Sequence, residues 1–209
     1  MVASPPARRV PVRDAASLIL LRRGSGGDEV LMGRRSARHA FMPSVYVFPG
    51  GAVDPADGRA AFPVQVPADD LKRIESGLGS RASPRRTRAI VNAAVRETLE
   101  ETAIDLASEE IDALRYVGRA ITPPGRSRRF DARFLCARLR GTGCAPSSSD
   151  ELEDVRWLPL ARPGVPLATI TEAILGELLA RLRLDPELRE DLPLPFYRAV
   201  RGTVRRSEF

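Results

Sequence analysis

Residues 96–104 read RETLEETAI, and they place three carboxylates within five consecutive positions of a predicted helix. At 3.6 residues per turn, Glu97, Glu100 and Glu101 are related by i, i+3 and i+4 and share one face. Arg96 lies one turn before Glu100 and can pair with it. Like charges this close repel one another, and a hard divalent cation with oxygen ligands would relieve that repulsion. The pattern indicates either a cation site or a solvated acidic face.

The opposite face of the same helix is predicted to pack on the core. Val91, Val95 and Leu99 recur at helical spacing and form an apolar stripe. Upstream, Ser83-Pro84 is typical of a helix start, with an N-cap serine followed by proline at the first helical position. We therefore predict a helix from about Pro84 to Thr102.

A glycine pair precedes this helix by more than thirty residues, counted on the printed sequence. The apolar run 45–48 (VYVF) leads through Pro49 into Gly50-Gly51. Glycine lets the backbone adopt positive φ and approach an ion closely, although a plain turn at the end of a strand also uses it.

Together these stretches resemble the Nudix box, whose pattern is G-x5-E-x7-R-E-U-x-E-E-x-G-U, with U an aliphatic residue. Gly51 matches its first glycine, and residues 96–97 and 100–101 match its R-E and E-E pairs. The chain departs from the pattern at three places. The box glutamate falls on Asp57, the closing glycine is Ala103, and the spacer is longer by roughly thirty residues, which is large for an ordinary loop.

The long spacer, residues 57–83, resembles one subfamily in particular, the coenzyme A diphosphatase-like Nudix hydrolases that split their box. The lead-in LMGRRS (31–36), FMP (41–43) and FPGG (48–51) is similar to that subfamily, as is TPPG (122–125) followed by RFD (129–131). The resemblance spans residues 12 to 160 or thereabouts. It implies a Nudix α/β/α sandwich, an α/β fold with a mixed β-sheet between helices.

The resemblance also implies the residues of a hydrolytic site. A Mg²⁺ or Mn²⁺ ion would be held by the three glutamates and the carbonyl of Gly50, and the general base would be Glu101 or a loop glutamate. The residues assigned to catalysis are Arg96, Glu97, Glu100, Glu101, Glu151 and Glu153, and those assigned to the metal are Gly50, Glu97, Glu100 and Glu101.

Arginine side chains are the predicted phosphate ligands, because a guanidinium fork fits two phosphate oxygens. Phe130 either stacks on a base or fills the core. The substrate-binding residues predicted in this way are Arg34, Arg35, Gly51, Arg129 and Phe130, with Arg128 as a secondary candidate. The single histidine, His39, is interpreted as a loop residue.

The resemblance implies cleavage of the diphosphate linkage in a nucleoside diphosphate derivative, with coenzyme A or an acyl-CoA as the favoured substrate. ADP-ribose and NADH are alternatives because they share an ADP-like half. The departures at Asp57 and Ala103 leave open a catalytically silent Nudix module in regulation or RNA binding. Three self-repelling carboxylates argue against that alternative, and the lack of a basic, aromatic-interleaved segment disfavours an RNA-directed enzyme.

The composition is ordinary for a globular chain, with 43% hydrophobic and 29% charged residues. The chain has 209 residues and a net charge of +6, and we predict a flexible leader (1–12) followed by a single Nudix domain (13–209). Lys72 is the only lysine, and the arginines are scattered rather than grouped in blocks, which does not favour nucleic-acid binding. The insertion is interpreted as a lid, a homodimer contact or neither.

Other signals bear on location. The two cysteines lack a C-x-x-C partner, so neither structural zinc nor a disulfide framework is predicted. No signal peptide, membrane span or S-K-L ending is visible, and a cytoplasmic location is therefore expected.

Periodicity predicts the remaining elements. Predicted strands cover residues 15–21, 29–34, 114–121, 130–139 and 155–158, and predicted helices cover 68–75 and a span around 170–182 that ends at Asp185-Pro186. The tail is expected to pack back on the domain, with Arg205-Arg206 frayed.

Overall fold

The fold is described from a computed structural model, which covers residues 10–36, 44–141 and 145–209. The strands are β1 (Val12–Gly24), β2 (Gly27–Arg35), β3 (Tyr46–Val47), β4 (Gly50–Ala52), β5 (Arg115–Ile121), β6 (Arg129–Arg138), β7 (Leu152–Pro159), β8 (Pro195–Val200) and β9 (Thr203–Glu208). The helices are α1 (Ala68–Ser76), α2 (Pro84–Thr102) and α3 (Thr169–Leu184), and a 3₁₀ turn covers Gly79–Arg81.

Some sequence expectations fall outside these ranges. They concern most of the leader, His39, the FMP stretch (41–43) and one of the two cysteines, Cys144, which lie outside the described residues.

The strands form one mixed sheet. Its order is β3-β2-β1-β6-β5-β8-β9, with β4 also paired to β1 and β7 to β2. β1 runs parallel to β6 and β5 runs parallel to β8, whereas the other pairs are antiparallel. The predicted mixed sheet is confirmed.

The central strand β1 is apolar on both sides because it is covered on both sides. Leu18 and Leu20 belong to a cluster that includes α1 and α2, whereas Ile19 and Leu21 belong to a second cluster that includes α3. Successive side chains of a strand point to opposite faces. The sheet is therefore the middle layer of an α/β/α sandwich.

Both ends of α2 are capped. At the N-terminal end, the Ser83 hydroxyl accepts a hydrogen bond from the Arg86 backbone N–H at 3.2 Å. At the other end, Ala103 adopts the left-handed conformation (φ 59°, ψ 14°), and its N–H donates to the Leu99 carbonyl at 2.9 Å. The chain thus keeps the turn that usually requires glycine, with alanine in its place.

The apolar stripe predicted on α2 is wrong at its last member. Exposure rises along it, from 0% at Val91 and 8% at Val95 to 44% at Leu99. Each four-residue step turns the side chain by about 40° around the helix axis, so a strict i, i+4 series rotates out of the core. Thr98 and Glu101 are buried in its place.

The carboxyl-terminal segment packs back on the domain, as expected, by extending the sheet. β8 pairs with β5 and β9 pairs with β8. The predicted fraying of Arg205-Arg206 is wrong, because both residues lie in β9 and the Arg206 guanidinium binds Glu177 of α3. Phe209 packs against Tyr116 and Phe196.

No helix within the described ranges is long and apolar enough to cross a membrane.

Candidate active site

The glutamates of α2 open into a cavity of about 430 Å³. Its walls come from α2, the glycine pair of β4, the ends of β1, β2 and β6, and the segment before β7. Its functional lining residues are Arg13, Arg35, Gly50, Gly51, Arg96, Glu97, Glu100, Glu101, Arg128, Phe130 and Glu151. All of the predicted site residues line this cavity except Arg34, Arg129 and Glu153.

Arg96 is the centre of the acidic cluster. Its Nη1 donates to Glu97 Oε1 at 2.9 Å and to Glu100 Oε2 at 2.8 Å. Its Nε donates to Asp57 Oδ1 at 2.9 Å, and its Nη2 donates to the Ala52 carbonyl at 3.1 Å. The hydrogen bond to Asp57 is the main cause that raises the pKa of Arg96. Arg96 therefore contacts both Glu97 and Glu100, and the pairing with Glu100 that helix spacing allows is present.

Asp57 replaces the box glutamate, and its position explains how the split box remains assembled. Its carboxylate is buried against Arg96, and Asn92 of α2 donates from Nδ2 to the Asp57 carbonyl at 2.9 Å. The start of the insertion is thereby fixed to α2. The long spacer leaves the two halves of the box in contact.

Glu101 is the most perturbed carboxyl of the site. The pKa of Glu101 is raised to about 8, mainly by burial. The Gly50 N–H donates a hydrogen bond to Glu101 Oε2 at 2.8 Å and lowers this pKa, whereas the charges of Glu97 and Glu151 raise it. Burial also raises the pKa of Glu97, against the opposing effect of Arg96. The neighbouring glutamates therefore disfavour one another's charged forms, and a bound cation would relieve that repulsion.

Arg35 supplies positive charge on the opposite side of this cluster. Burial lowers its pKa, and the charges of Glu101 and Glu151 oppose that change. A half-buried guanidinium beside a carboxylate cluster is suited to a phosphate that also contacts a cation.

The donor set suits a hard divalent cation. Three carboxylates and a glycine carbonyl are oxygen ligands of the kind that Mg²⁺ and Mn²⁺ prefer. At position 51, a Cβ atom would overlap the Glu97 carboxylate, and at position 50 it would overlap the Ala16 carbonyl oxygen. Glycine thus leaves room for the Glu97 carboxylate at position 51 and for the backbone of β1 at position 50.

Among the described residues, no three acidic, histidine or cysteine side chains already converge as metal ligands. Glu97 and Glu100 are turned toward Arg96, and Glu101 accepts from Gly50. The metal assignment therefore stays a prediction, which the chemistry of the donors supports.

Three predicted residues lie outside the lining of the cavity. Arg34 Nη2 donates to Glu153 Oε2 at 3.1 Å, across the pairing of β2 with β7. Arg129 Nε donates to the Thr122 carbonyl at 3.1 Å. Arg34 directly precedes Arg35 in β2, and Arg129 directly precedes Phe130 in β6, so strand alternation places the members of each pair on opposite faces.

Arg13 lines the cavity and was not among the sequence candidates. It falls in no motif and stands at the start of β1. The alternation of side chains along β1 could have identified it. Arg13, Ala15 and Ser17 occupy every second position of this strand and line the same cavity.

Comparison with known proteins identifies the domain. Residues 86–182 match the family model of the NUDIX domain. A NUDIX hydrolase from Alicyclobacillus acidocaldarius is 27% identical, with a TM-score of 0.62 over 82% of this chain and 92% of that chain. No curated protein sequence gives a significant match.

Two further solved structures share the fold at lower identity. A C. elegans Ap4A hydrolase in a binary complex is 19% identical, with a TM-score of 0.53 over 82% of this chain and 98% of its own. The NUDIX domain of Shewanella oneidensis NrtR, complexed with ADP ribose, is 17% identical, with a TM-score of 0.53 over 86% of this chain and 94% of its own.

The chain therefore has the Nudix fold, and residues 86–182 match the NUDIX domain model. This confirms the fold that the sequence predicted. The matched family model and these structures do not single out the coenzyme A diphosphatase-like subfamily, which stays a prediction.

Proposed function

We propose that this protein is a metal-dependent hydrolase of the diphosphate linkage in nucleoside diphosphate derivatives. The observation that carries the proposal is one cavity in which Glu97, Glu101 and Glu151 face the glycine pair and Arg35. A diphosphate ester is an anion that needs both a cation and guanidinium groups around it. This cavity offers carboxylate ligands for the cation and supplies the guanidinium groups.

For the substrate, we favour coenzyme A or an acyl-CoA, on the resemblance of the split box. ADP-ribose and NADH are the alternatives. The bound ADP ribose in the NrtR domain and the Ap4A hydrolase activity of the C. elegans protein support the wider class of nucleotide derivatives.

The silent-module alternative was motivated by Asp57 and Ala103. Asp57 binds Arg96 and Ala103 adopts the left-handed turn, so neither departure disrupts the acidic cluster. We therefore rank catalysis above a regulatory or RNA-binding role.

In the proposed mechanism, the carboxylates of Glu97, Glu100 and Glu101 and the Gly50 carbonyl would hold Mg²⁺ or Mn²⁺. When bound, the cation neutralises diphosphate charge and lowers the pKa of bound water. Arg96 keeps Glu97 and Glu100 oriented through the contacts described above.

The remaining lining residues would bind substrate and move the proton. Arg35, Arg128 and Arg13 would bind phosphate oxygens, and Phe130 would contact the nucleoside. A carboxylate oxygen of Glu101 or Glu151 would accept the proton from the attacking water. Glu153 is a weaker candidate for the general base than Glu101 or Glu151, because its carboxylate forms an ion pair with Arg34.

Product analysis by mass spectrometry tests the proposal. The protein is incubated with Mg²⁺ or Mn²⁺ and coenzyme A, acetyl-CoA, NADH, ADP-ribose or a diadenosine polyphosphate. Wild type should cleave at least one compound in a metal-dependent way. Glu101→Gln should remain folded and lose activity by about 10²-fold or more, the scale for a lost proton-transfer group. Glu110→Gln, an exposed carboxylate outside the cavity lining, is the control and should retain full activity.

Full turnover by Glu101→Gln would refute the site assignment. If no compound is cleaved although calorimetry detects metal binding, the substrate lies outside the panel. Failure to bind metal would make the silent module the leading interpretation.

A further inference from the structure

A second cavity, of about 500 Å³, lies where the insertion meets the start of α2. Four arginines line it: Arg13 of β1, Arg81 of the 3₁₀ turn, and Arg85 and Arg86 of the first turn of α2. We call this the arginine cleft. None of its lining residues is aromatic.

The cleft has an excess of positive charge, because four arginines line it and two carboxylates, Asp14 and Asp54, do so. Asp14 is buried and is bound by Arg133 at 2.9 Å, by Arg81 at 3.2 Å and by Arg86. Asp54 accepts from the Ala56 N–H at 2.7 Å within its own turn. The four arginines therefore outnumber the two lining carboxylates, and the net charge of the lining is positive.

Further positive charge lies directly beneath. Asp14 and its neighbour Asp131 are two buried carboxylates, and the guanidiniums that contact them are those of Arg81, Arg86, Arg119 and Arg133. Two negative charges thus face four positive ones. Arg13 and Arg85 add to this excess, since neither forms an ion pair with any residue in the described ranges.

The arginine cleft adjoins the candidate active site. Arg13 lines both cavities, and a ligand held at the glutamates therefore has the cleft on one side. The insertion contributes Arg81 and, through Gly58, a wall beside Arg85. The insertion therefore forms part of the wall of the cleft.

We propose that the arginine cleft binds a phosphate monoester of the substrate, separate from the diphosphate that is cleaved. This inference rests on the proposed hydrolase function. Guanidinium groups bind the dianionic oxygens of a monoester through paired hydrogen bonds. A cleft without an aromatic platform favours a phosphate group over a stacked base. The preferred substrate is therefore a nucleoside diphosphate derivative with an additional ribose phosphate.

Calorimetry without substrate turnover tests the cleft directly. The probes are adenosine 3′,5′-bisphosphate, adenosine 2′,5′-bisphosphate and adenosine 5′-monophosphate, which differ only in the monoester. One bisphosphate should bind about tenfold more tightly than the monophosphate, equivalent to about 1.4 kcal/mol. Arg85→Ala should abolish this difference and leave the affinity for the monophosphate unchanged.

The control is Arg205→Ala, which removes an equal charge from exposed β9 at the far edge of the sheet. It should preserve the preference for the bisphosphate. Equal affinities for all three nucleotides in wild type would overturn the proposal. So would an equal loss of bisphosphate and monophosphate binding in Arg85→Ala.

Turnover of matched substrate pairs separates this proposal from the proposed function. Coenzyme A is compared with dephospho-coenzyme A, and NADPH with NADH. Higher kcat/KM for the phosphorylated member, lost in Arg85→Ala, supports both. Cleavage of both members at equal kcat/KM, together with equal nucleotide affinities, overturns the cleft and leaves the hydrolase standing. Tighter bisphosphate binding with no cleavage supports the cleft and counts against the hydrolase.

Discussion

Arg96 and Gly51 show how single residues arrange the glutamates of α2. Arg96 joins Glu97 and Glu100 to Asp57, so one guanidinium connects both halves of the split box. Gly51 matters because it has no side chain, since the Glu97 carboxylate occupies the space that a Cβ atom would need. Gly51 is partly buried, and its φ angle is not positive. Glycine is therefore required at this position by the close contact with Glu97 and not by the backbone conformation.

Gly51→Ala should therefore impair the site more than the fold. The added methyl group must displace the Glu97 carboxylate, and we expect kcat/KM to fall by about tenfold or more, the effect of misplacing one ligand or orienting group. Metal affinity measured by calorimetry should fall with it. Gly26→Ala is the matched control, because a Cβ there meets open space. Unchanged activity in Gly51→Ala would show that Glu97 is not needed in its present position.

At the scale of elements, α2 both packs on the core and carries the glutamates of the candidate active site. Its N-cap serine and first-turn proline determine where it begins, and the hydroxyl of Thr98 donates to the Ala94 carbonyl on its buried side. Its last turn carries Glu101 into the cavity and ends in the left-handed Ala103. An alanine in that conformation costs about 1 kcal/mol relative to glycine.

Ala103→Gly should consequently stabilise the protein. Glycine adopts the observed φ of 59° without a Cβ penalty, and we expect a gain of up to about 1 kcal/mol, or about 2–4 °C in Tm for a chain of this size. Differential scanning calorimetry measures the shift. The control is Ala107→Gly, because Ala107 is also exposed but does not have a positive φ angle. This variant should be neutral or slightly destabilising. A lower Tm for Ala103→Gly would contradict this account of the cap.

At the scale of the whole molecule, buried ion pairs join segments that are distant in sequence. Asp14 of β1 contacts arginines from the insertion, from α2 and from β6. Burial alone would raise the pKa of Asp14, but the hydrogen bonds and charges of Arg133, Arg86 and Arg81 outweigh it and lower the pKa below 3.8. The ionised form is therefore the form that the fold stabilises.

Stability should depend on pH through this carboxylate. Its contribution is fully present above the unfolded-state pKa of about 3.9, and it is lost as the pH falls through the lower folded-state pKa. Asp14→Asn removes one of the two buried carboxylates that contact Arg133 and should cost about 3 kcal/mol at neutral pH, the lower end of the range for a broken buried ion pair. The difference in unfolding free energy between wild type and variant should shrink as the pH approaches 2.

Urea unfolding from pH 7 to pH 2 measures that difference. Asp69→Asn is the control, because the exposed pair of Asp69 with Lys72 is screened by solvent and contributes little. A cost for Asp14→Asn that is the same at every pH would show that its charge is not the cause.

The sequence by itself determined the elements and the acidic face. Periodicity, the Ser83-Pro84 start and the apolar run of β1 are local signals, and they predicted α2 and the central strand. The spacing of Glu97, Glu100 and Glu101 followed from helix geometry alone. Local patterns suffice where neighbours in sequence are neighbours in space.

Only the tertiary structure decided which residues meet these elements. The pairing of Asp57 with Arg96 joins residues separated by the insertion, and Arg13 reaches both cavities from a strand outside every motif. The exposure of Leu99 and the ordered pairing of Arg206 likewise depend on what packs nearby. Such contacts depend on how distant segments pack against one another, and neither periodicity nor motif spacing carries that information.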